Sequence, residues 1–459
     1  MKEPAHLVPP RISARAQPAG RIPVAFGRRF FLLLFIGMVW VGPAWWDRRF
    51  LYGIAAWDVM ALALWAWDLL RLPRAQHLEV QRVWSAPLGL ATPGRIEIVV
   101  RNHGRLAIAA TVVDDAPAQL RRELPSLEIA APAGCAGRAS YTIDPRERGD
   151  ARVGSVALHY QSPLRLAERW AVAELGQTVR VYPNLEESKR NTIYLIRSRQ
   201  IELERRQKRQ RGHGREFESL REYREGDEWR DICWTATARR GKLISKVFQV
   251  ERSQTVWLVL DAGRLLRARV AGLSKLDYAI NAALSLAQVA LYSGDRVALL
   301  AYGRRPQQRL PPGRGAAHLR ALVEGLALVR GEALEADHLR AAKALLALQK
   351  RRSLLVWLTE LTETATTPEV VECASRMSGR HLVLFVVIGQ SELGKLVTER
   401  PEEAGAMYRY VAAQEIIQQR DLLLRRLRQQ GALTLEIEPA RLSTALVNQY
   451  LGVKERGLL

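Results

Sequence analysis

Two apolar stretches near the amino terminus constrain this chain more than any other feature. Residues 30–46 read FFLLLFIGMVWVGPAWW, and residues 50–70 read FLYGIAAWDVMALALWAWDLL. A helix needs about 20 apolar residues to cross the hydrocarbon core of a bilayer. Only Asp47, Arg48 and Arg49 separate the two stretches, so they are expected to form a tight transmembrane hairpin over 28–72. Trp40, Trp45, Trp46, Trp65 and Trp67 lie near the ends, where an aromatic belt belongs. Arg28-Arg29 would also suit a signal peptide, but no small-x-small cleavage motif follows and a second apolar stretch comes at once.

Charge sets the expected orientation. Lys2, Arg11, Arg15, Arg21, Arg28 and Arg29 precede the hairpin, Arg71, Arg74 and Arg82 follow it, and its loop holds two arginines. Basic residues stay on the cytoplasmic side. Residues 1–27 are therefore expected as a cytoplasmic tail, and the rest of the 459-residue chain as cytoplasmic too. Three cysteines, Cys135, Cys233 and Cys373, form no CxxC pair, which fits a reducing compartment. The expected location is a bacterial inner membrane, crossed more than once. Asp58 falls inside the second apolar stretch and reads as a shallow residue or one facing a partner helix; Asp68 falls at the membrane edge.

Over 76–182, short β-rich runs alternate with Gly, Pro and Asn turns, the spacing of an antiparallel β-sandwich. Tyr182-Pro183-Asn184 ends the sandwich, and residues 183–252 form a linker segment that carries a basic run over 189–215. The net charge of +22 favours an anionic partner, as an Arg-rich composition also would without one. Few aromatics lie in the basic run, so it offers no stacking platform and nucleic acid is not the expected partner. From 253 to 459, apolar strands at 255–261, 295–302, 353–359, 381–388 and 433–437 alternate with helical patterns. That is a doubly wound α/β domain, whose ligands bind at the carboxyl ends of the strands.

The densest local signal is GREFESLREYREGDEWRDICWTATARRGKLISKVFQVE over 214–251. Its arginines (221, 224, 230, 239 and 240) can fork onto its carboxylates as a web of ion pairs. Asp227 can cap the segment that follows, with Trp229 and Trp234 packed beneath. Phe217, Arg221, Tyr223, Gly226, Asp227, Arg230, Trp234, Arg239 and Gly241 carry a pattern that closely resembles the signature of the "domain of unknown function 58" proteins. The resemblance implies two membrane helices, a β-sandwich, the signature and then a von Willebrand factor A-like domain. It also implies a MoxR-type AAA+ ATPase and a transglutaminase-like membrane protein as partners.

In A-type domains the loop after the first strand reads DxSxS and helps hold a divalent cation such as Mg²⁺, a hard ion that takes oxygen ligands. Here it reads Asp261-Ala262-Gly263-Arg264-Leu265. Both serines are replaced, by Gly263 and Leu265. Ala336 stands where a later loop would offer threonine, and Glu360 where it would offer aspartate. Too few oxygen ligands remain, and no cofactor is expected. Asp261, Arg264, Asp337 and Glu360 are instead candidates for a partner-binding rim, in which Arg264 could pair with the acids. GxSxG, HExxH and Walker A motifs are absent and the eight histidines are scattered. The expected function is a non-enzymatic membrane adaptor acting with an AAA+ ATPase. The alternative is an electrostatic binder of anionic lipid or nucleic acid through the basic segments.

Overall fold

A computed structural model describes residues 8–47, 49–184, 216–224, 227, 229–249, 254–361, 367–389, 391–398 and 403–458. The basic run at 189–215 and Gly226 of the signature lie outside these residues. The chain divides into two compact units, Met1–Tyr182 and Pro183–Leu459.

The first unit opens with β1 (Ile12–Arg15), β2 (Gln17–Pro18) and β3 (Val24–Phe26). Helix α1 (Arg28–Gly37), a 3₁₀ turn at Met38–Trp40 and α2 (Val41–Trp46) follow, then α3 (Phe50–Arg71). The turn falls where Pro43 removes the amide that would bond the Val39 carbonyl, so the backbone tightens there. Gly37 permits close approach, since a Cβ there would lie 2.3 Å from the Trp57 ring, and the Trp57 indole donates to the Leu33 carbonyl at 2.8 Å. Arg28–Trp46 and Phe50–His77 are long and apolar enough to cross a membrane, with only 11% and 6% of their most apolar windows buried. A core helix of a soluble protein would be mostly buried; these present Phe31, Leu32, Phe35 and Val39 outward.

Ten strands complete the unit: β4 (Leu78–Trp84), β5 (Leu88–Gly89), β6 (Gly94–Asn102), β7 (Ile108–Asp114), β8 (Ser126–Ala131), β9 (Ala136–Ile143), β10 (Gly149–Val153), β11 (Val156–Gln161), β12 (Ala167–Ala173) and β13 (Gln177–Tyr182). One sheet has the order β1-β4-β6-β9, a second β2-β12-β11-β7-β8 with β3 also on β12, and a third β10-β13-β5. Alternation along β4 buries Leu78, Val80, Arg82 and Trp84, the period-2 signature of a half-buried strand. Arg82 is inside because Asp114 meets it there: its Nε donates to Asp114 at 3.1 Å, a second nitrogen pairs with the other carboxylate oxygen, and the Leu175 and Gly154 carbonyls take the remaining donors at 2.7 and 3.0 Å.

Of the tail expected over 1–27, the described residues 8–27 are not separate from the sandwich. Ile12 to Arg15 pair antiparallel with Arg82 to Glu79, and β3 pairs with Ala167 to Arg169. The reason is that free sheet edges accept any short extended segment that brings backbone donors. Both apolar helices are tied to one turn of this sandwich. The Gly27 amide donates to the Leu166 carbonyl at 2.7 Å, and a Cβ at Gly27 would lie 2.3 Å from the Arg165 carbonyl oxygen. From α3, the buried Asp68 carboxylate accepts from the Ser162 hydroxyl at 2.7 Å and from the amides of Leu166 and Ala167 at 3.2 and 3.0 Å.

The second unit starts with the signature hairpin: β14 (Glu216–Glu222), the short helix α4 (Trp234–Arg240) and β15 (Ile244–Gln249), β14 and β15 being antiparallel. Arg221 pairs with Asp227 at 2.7 Å and Lys242 with Glu222 at 3.1 Å. Asp227 also accepts from the Arg224 amide, and this bond, with the arginines around it, holds its carboxyl below the usual range. Asp227 thus closes a turn backward onto Arg224. Gly241 ends α4 at φ +67°, a left-handed cap that glycine takes without strain. Trp229 and Trp234 do not pack beneath: they are 69% and 64% exposed. A two-stranded hairpin with one short helix has too little depth to enclose two indoles.

Then come β16 (Thr255–Asp261), the ribbon β17 (Arg269–Val270) and β18 (Leu273–Ser274), α5 (Lys275–Tyr292), β19 (Arg296–Tyr302), β20 (Pro306–Gly313), α6 (Gly315–Leu328), α7 (His338–Leu348), β21 (Leu354–Thr359), α8 (Thr367–Ser378), β22 (Leu382–Ile388), α9 (Ser391–Thr398), α10 (Ala404–Gln429), β23 (Leu433–Ile437) and α11 (Leu442–Glu455). The sheet order is β20-β19-β16-β21-β22-β23. Its pairings are parallel except β19 with β20. The antiparallel edge strand was not foreseen: PQQRLPPG lacks the apolar run that marked the others, as an edge strand permits. A capping box between Ser274 and Asp277 starts α5, and the faces of β16, β21 and β22 are nearly all buried.

Candidate functional site at the carboxyl end of the parallel sheet

β16 is flanked by β19 on one side and β21 on the other, so strand order reverses at this strand. In such sheets the crevice at the carboxyl ends beside the reversal is the place for ligands. Asp261 ends β16 there and is buried. One of its oxygens accepts the Gly263 amide at 2.7 Å, the other the Thr359 hydroxyl at 2.7 Å. Loss of water holds its carboxyl above the usual range, opposed by the nearby His338 and by those two bonds.

The loop that follows is stitched down. The Ala262 amide donates to the Tyr302 carbonyl, the Glu332 amide to the Ala262 carbonyl, and the Arg264 amide to the Leu334 carbonyl, at 2.7, 2.7 and 2.9 Å. Gly263 is therefore crowded: a Cβ would lie 2.9 Å from the Ala336 amide and 3.0 Å from both the Ala336 Cβ and Asp261. The glycine and the alanine are matched, and a hydroxyl side chain at 263 does not fit.

Glu360, one residue beyond β21, faces Lys275 at the start of α5; Nζ and Oε1 are 2.6 Å apart, with each side chain 3% exposed. A lysine ammonium thus neutralises the carboxylate that would help hold a metal. Among the described residues, no three His, Cys, Asp or Glu side chains gather as metal ligands. The residues at this end do not fit a divalent cation: one carboxylate faces an internal cation, each oxygen of the other already accepts a hydrogen bond, and the serine position is crowded.

The candidate rim is thus split. Arg264 pairs with Glu335 at 2.6 Å, and not with Asp261, Asp337 or Glu360. Asp337 caps α7 through the Arg340 amide at 2.8 Å and pairs with the Arg340 side chain at 3.4 Å. Both ion pairs are exposed. Asp261 and Glu360 lie below them, buried. Leu265 begins no ligand set; it sits in the 3₁₀ turn Arg264–Arg267.

Sequence reasoning missed a buried polar chain beside Asp261. The Trp357 indole donates to the Tyr302 hydroxyl oxygen at 2.6 Å, leaving that hydroxyl free to donate to His338 Nδ1 at 2.8 Å. Burial, and then the negative charge of Asp261, drive the Tyr302 hydroxyl well above its ordinary pKa. These residues stand at a strand end, mid-strand and the first turn of a helix, with no spacing that would mark them as one set.

Residues 219–405 match the family described as "Protein of unknown function DUF58". This segment is similar to that family. It begins inside the hairpin and runs through the A-like domain as far as α10. Uncharacterized protein YeaD of Bacillus subtilis (strain 168) is 29% identical over 124 residues, 27% of this chain and 30% of that protein, so the chain spans under a third of the length of the curated relative it matches. Among solved structures, the SpRpn10 VWA domain is similar at 16% identity and a TM-score of 0.26, over 43% of this chain and 95% of that one. BatB from Bacteroides thetaiotaomicron is similar at 12% identity and a TM-score of 0.32, over 44% of this chain and 100% of that one. With likeness that distant, the A-like reading of the DUF58 segment rests on the topology. Counted in chain order, its sheet runs 3-2-1-4-5-6 with the third strand antiparallel.

Proposed function

We propose that this protein is a non-enzymatic adaptor of the bacterial inner membrane, whose A-like domain grips a protein partner through the rim at the carboxyl end of its sheet. The observation that carries this reading is the layering of that end. Arg264, Glu335, Asp337 and Arg340 form two exposed ion pairs, while Asp261 and Glu360 beneath them are held by the protein's own donors. Exposed pairs add little to stability, about 0–1 kcal/mol each, so they are free to exchange partners. The carboxylates below already face Lys275 and the Gly263 and Thr359 donors, and on this reading the domain acts without a divalent metal.

Resemblance to the family points to a MoxR-type AAA+ ATPase as the partner that remodels the assembly, with a transglutaminase-like membrane protein beside it. The strand pairing supports the membrane topology. β1 precedes the helical hairpin and β4 follows it, yet the two share a sheet, so both ends of the hairpin return to one side. With the arginine bias, that side is the cytoplasm.

The test is purification of the tagged full chain from native membranes in mild detergent, with and without ATP, followed by mass spectrometry. Recovery of an AAA+ ATPase in near-equal amounts, lost in Arg264→Glu/Asp337→Arg without loss of folding, is the expected result. Recovery unaffected by that variant overturns the rim as the interface. Turnover of general hydrolase substrates by the purified chain overturns the non-enzymatic reading.

A further inference from the structure

Where α3 gives way to the sandwich, two guanidinium groups meet without an acid between them. Arg169 on β12 reaches back to the membrane helix and donates from one Nη to the Leu69 carbonyl at 3.0 Å. Its Nε is buried and makes no hydrogen bond. Arg74 follows α3 in the chain and lies close enough that its charge, after burial, lowers the Arg169 pKa further. Among the described residues neither arginine is paired with a carboxylate. The nearest acid in sequence, Glu168, is engaged elsewhere, by His159 at 2.8 Å and Gln161 at 2.9 Å.

Both arginines line a cavity of about 160 Å³, together with Pro18, Pro23, Tyr160 and Trp170. The Tyr160 hydroxyl is committed to the Pro73 carbonyl at 2.9 Å, so the cationic donors there are the two guanidinium groups, with the Gln76 side chain also in the lining. Two like charges, one with a buried unsatisfied N–H, are costly to hold together unless an anion joins them. The depth is also telling. Twenty-two residues of α3 rise about 33 Å, close to the ~30 Å hydrocarbon thickness. Its last turn, with Arg71 over the Trp67 ring at 4.5 Å, therefore falls at the level of lipid headgroups.

We propose that Arg74 and Arg169 form a binding site for the phosphate of an anionic phospholipid, drawn from the leaflet that α3 enters. A planar guanidinium suits a phosphate because it offers two parallel donors. The site lies in the first unit and is independent of the partner-binding rim.

The test uses the delipidated full chain in detergent, titrated with short-chain phosphatidylglycerol, short-chain phosphatidylcholine or inorganic phosphate. The readouts are the melting midpoint and the fluorescence of Trp170. Saturable stabilisation by phosphatidylglycerol is expected, with affinity at least tenfold above phosphatidylcholine and inorganic phosphate. Arg74→Gln, at an exposed position, should weaken it at least tenfold without lowering the lipid-free melting midpoint, because it removes one of two like charges. Arg169→Lys, which keeps the charge and loses the fork, should weaken it less than Arg169→Gln. Equal response to inorganic phosphate would assign the site to a free anion and overturn the lipid. Phosphatidylglycerol binding that survives Arg74→Gln and Arg169→Lys unchanged would overturn the site itself.

Discussion

Lys275 and Glu360 are both almost fully shielded from water, and a buried pair of this kind costs far more to break than it contributes when intact. Lys275→Met is expected to destabilise the second unit by about 3–5 kcal/mol, because it strands a buried carboxylate. The double variant Lys275→Met/Glu360→Met should recover most of that loss. Denaturant unfolding of the full chain, followed by tryptophan fluorescence, measures both, and equal instability of the single and double variants would sink the argument. Gly263→Ser restores the hydroxyl of the A-type loop but drives a Cβ against Ala336 and Asp261. It should lower stability by about 1–3 kcal/mol, the range for overpacking, and Mg²⁺ at millimolar concentration should not restore it. Burial raises the Asp261 carboxyl above its ordinary value, so the folded chain holds that proton to higher pH than the unfolded chain does. The stability this gives is complete below the unfolded value of about 4 and is lost as pH rises through the raised folded value. Asp261→Asn removes the slope. Relative to the parent, the variant should gain stability as pH rises from about 4 towards neutral, which a pH series of denaturant midpoints would show.

At the scale of elements, one turn carries the junction between the two apolar helices and the sandwich. Asp68 draws Ser162, Leu166 and Ala167 onto the end of α3, and Gly27 draws Leu166 onto the start of α1. Phe26, Phe30 and Trp65 stack around the same junction, with centroids 4.5 and 4.6 Å from Phe26. Asp68→Ala leaves three donors without their acceptor and is expected to cost about 3 kcal/mol, roughly 6–12 °C in the melting midpoint of the sandwich. Differential scanning fluorimetry in detergent would check it, and a change within 1–2 °C would mean the junction holds without the carboxylate. The signature hairpin stands in contrast. Its Lys242–Glu222 pair is exposed and its two tryptophans face out, so that pair adds little to stability, whereas Arg221–Asp227 is part-buried.

For the whole molecule, β1 and β4 share a sheet although the apolar hairpin lies between them in the chain, so the proposed crossing brings both ends of the hairpin back to one side. A cysteine introduced as Asp47→Cys, in the hairpin loop, should react with an impermeant maleimide on intact spheroplasts, whereas the exposed Cys135 should react only after lysis. Labelling of Cys135 from outside would reverse the orientation. The net charge of +22 is spread over both units, and at Arg74 and Arg169 two of its members line one cavity.

Much of this was legible in the chain itself. Apolar length marked the two spans, period-2 alternation the sandwich strands, and near-continuous apolar runs the buried parallel strands, because each of these signals is local and is set by the solvent a segment must face. The loss of both loop serines was likewise plain in the sequence. Tertiary structure alone decided which charge meets which. That Lys275 rather than an ion faces Glu360, that Arg264 chooses Glu335 over Asp337, that Asp68 anchors a turn about a hundred residues away, and that residues 12–26 complete sheets rather than trail as a tail all depend on contacts between segments far apart in sequence. Partner choice of this kind follows proximity and desolvation, and neither is defined until the chain has folded.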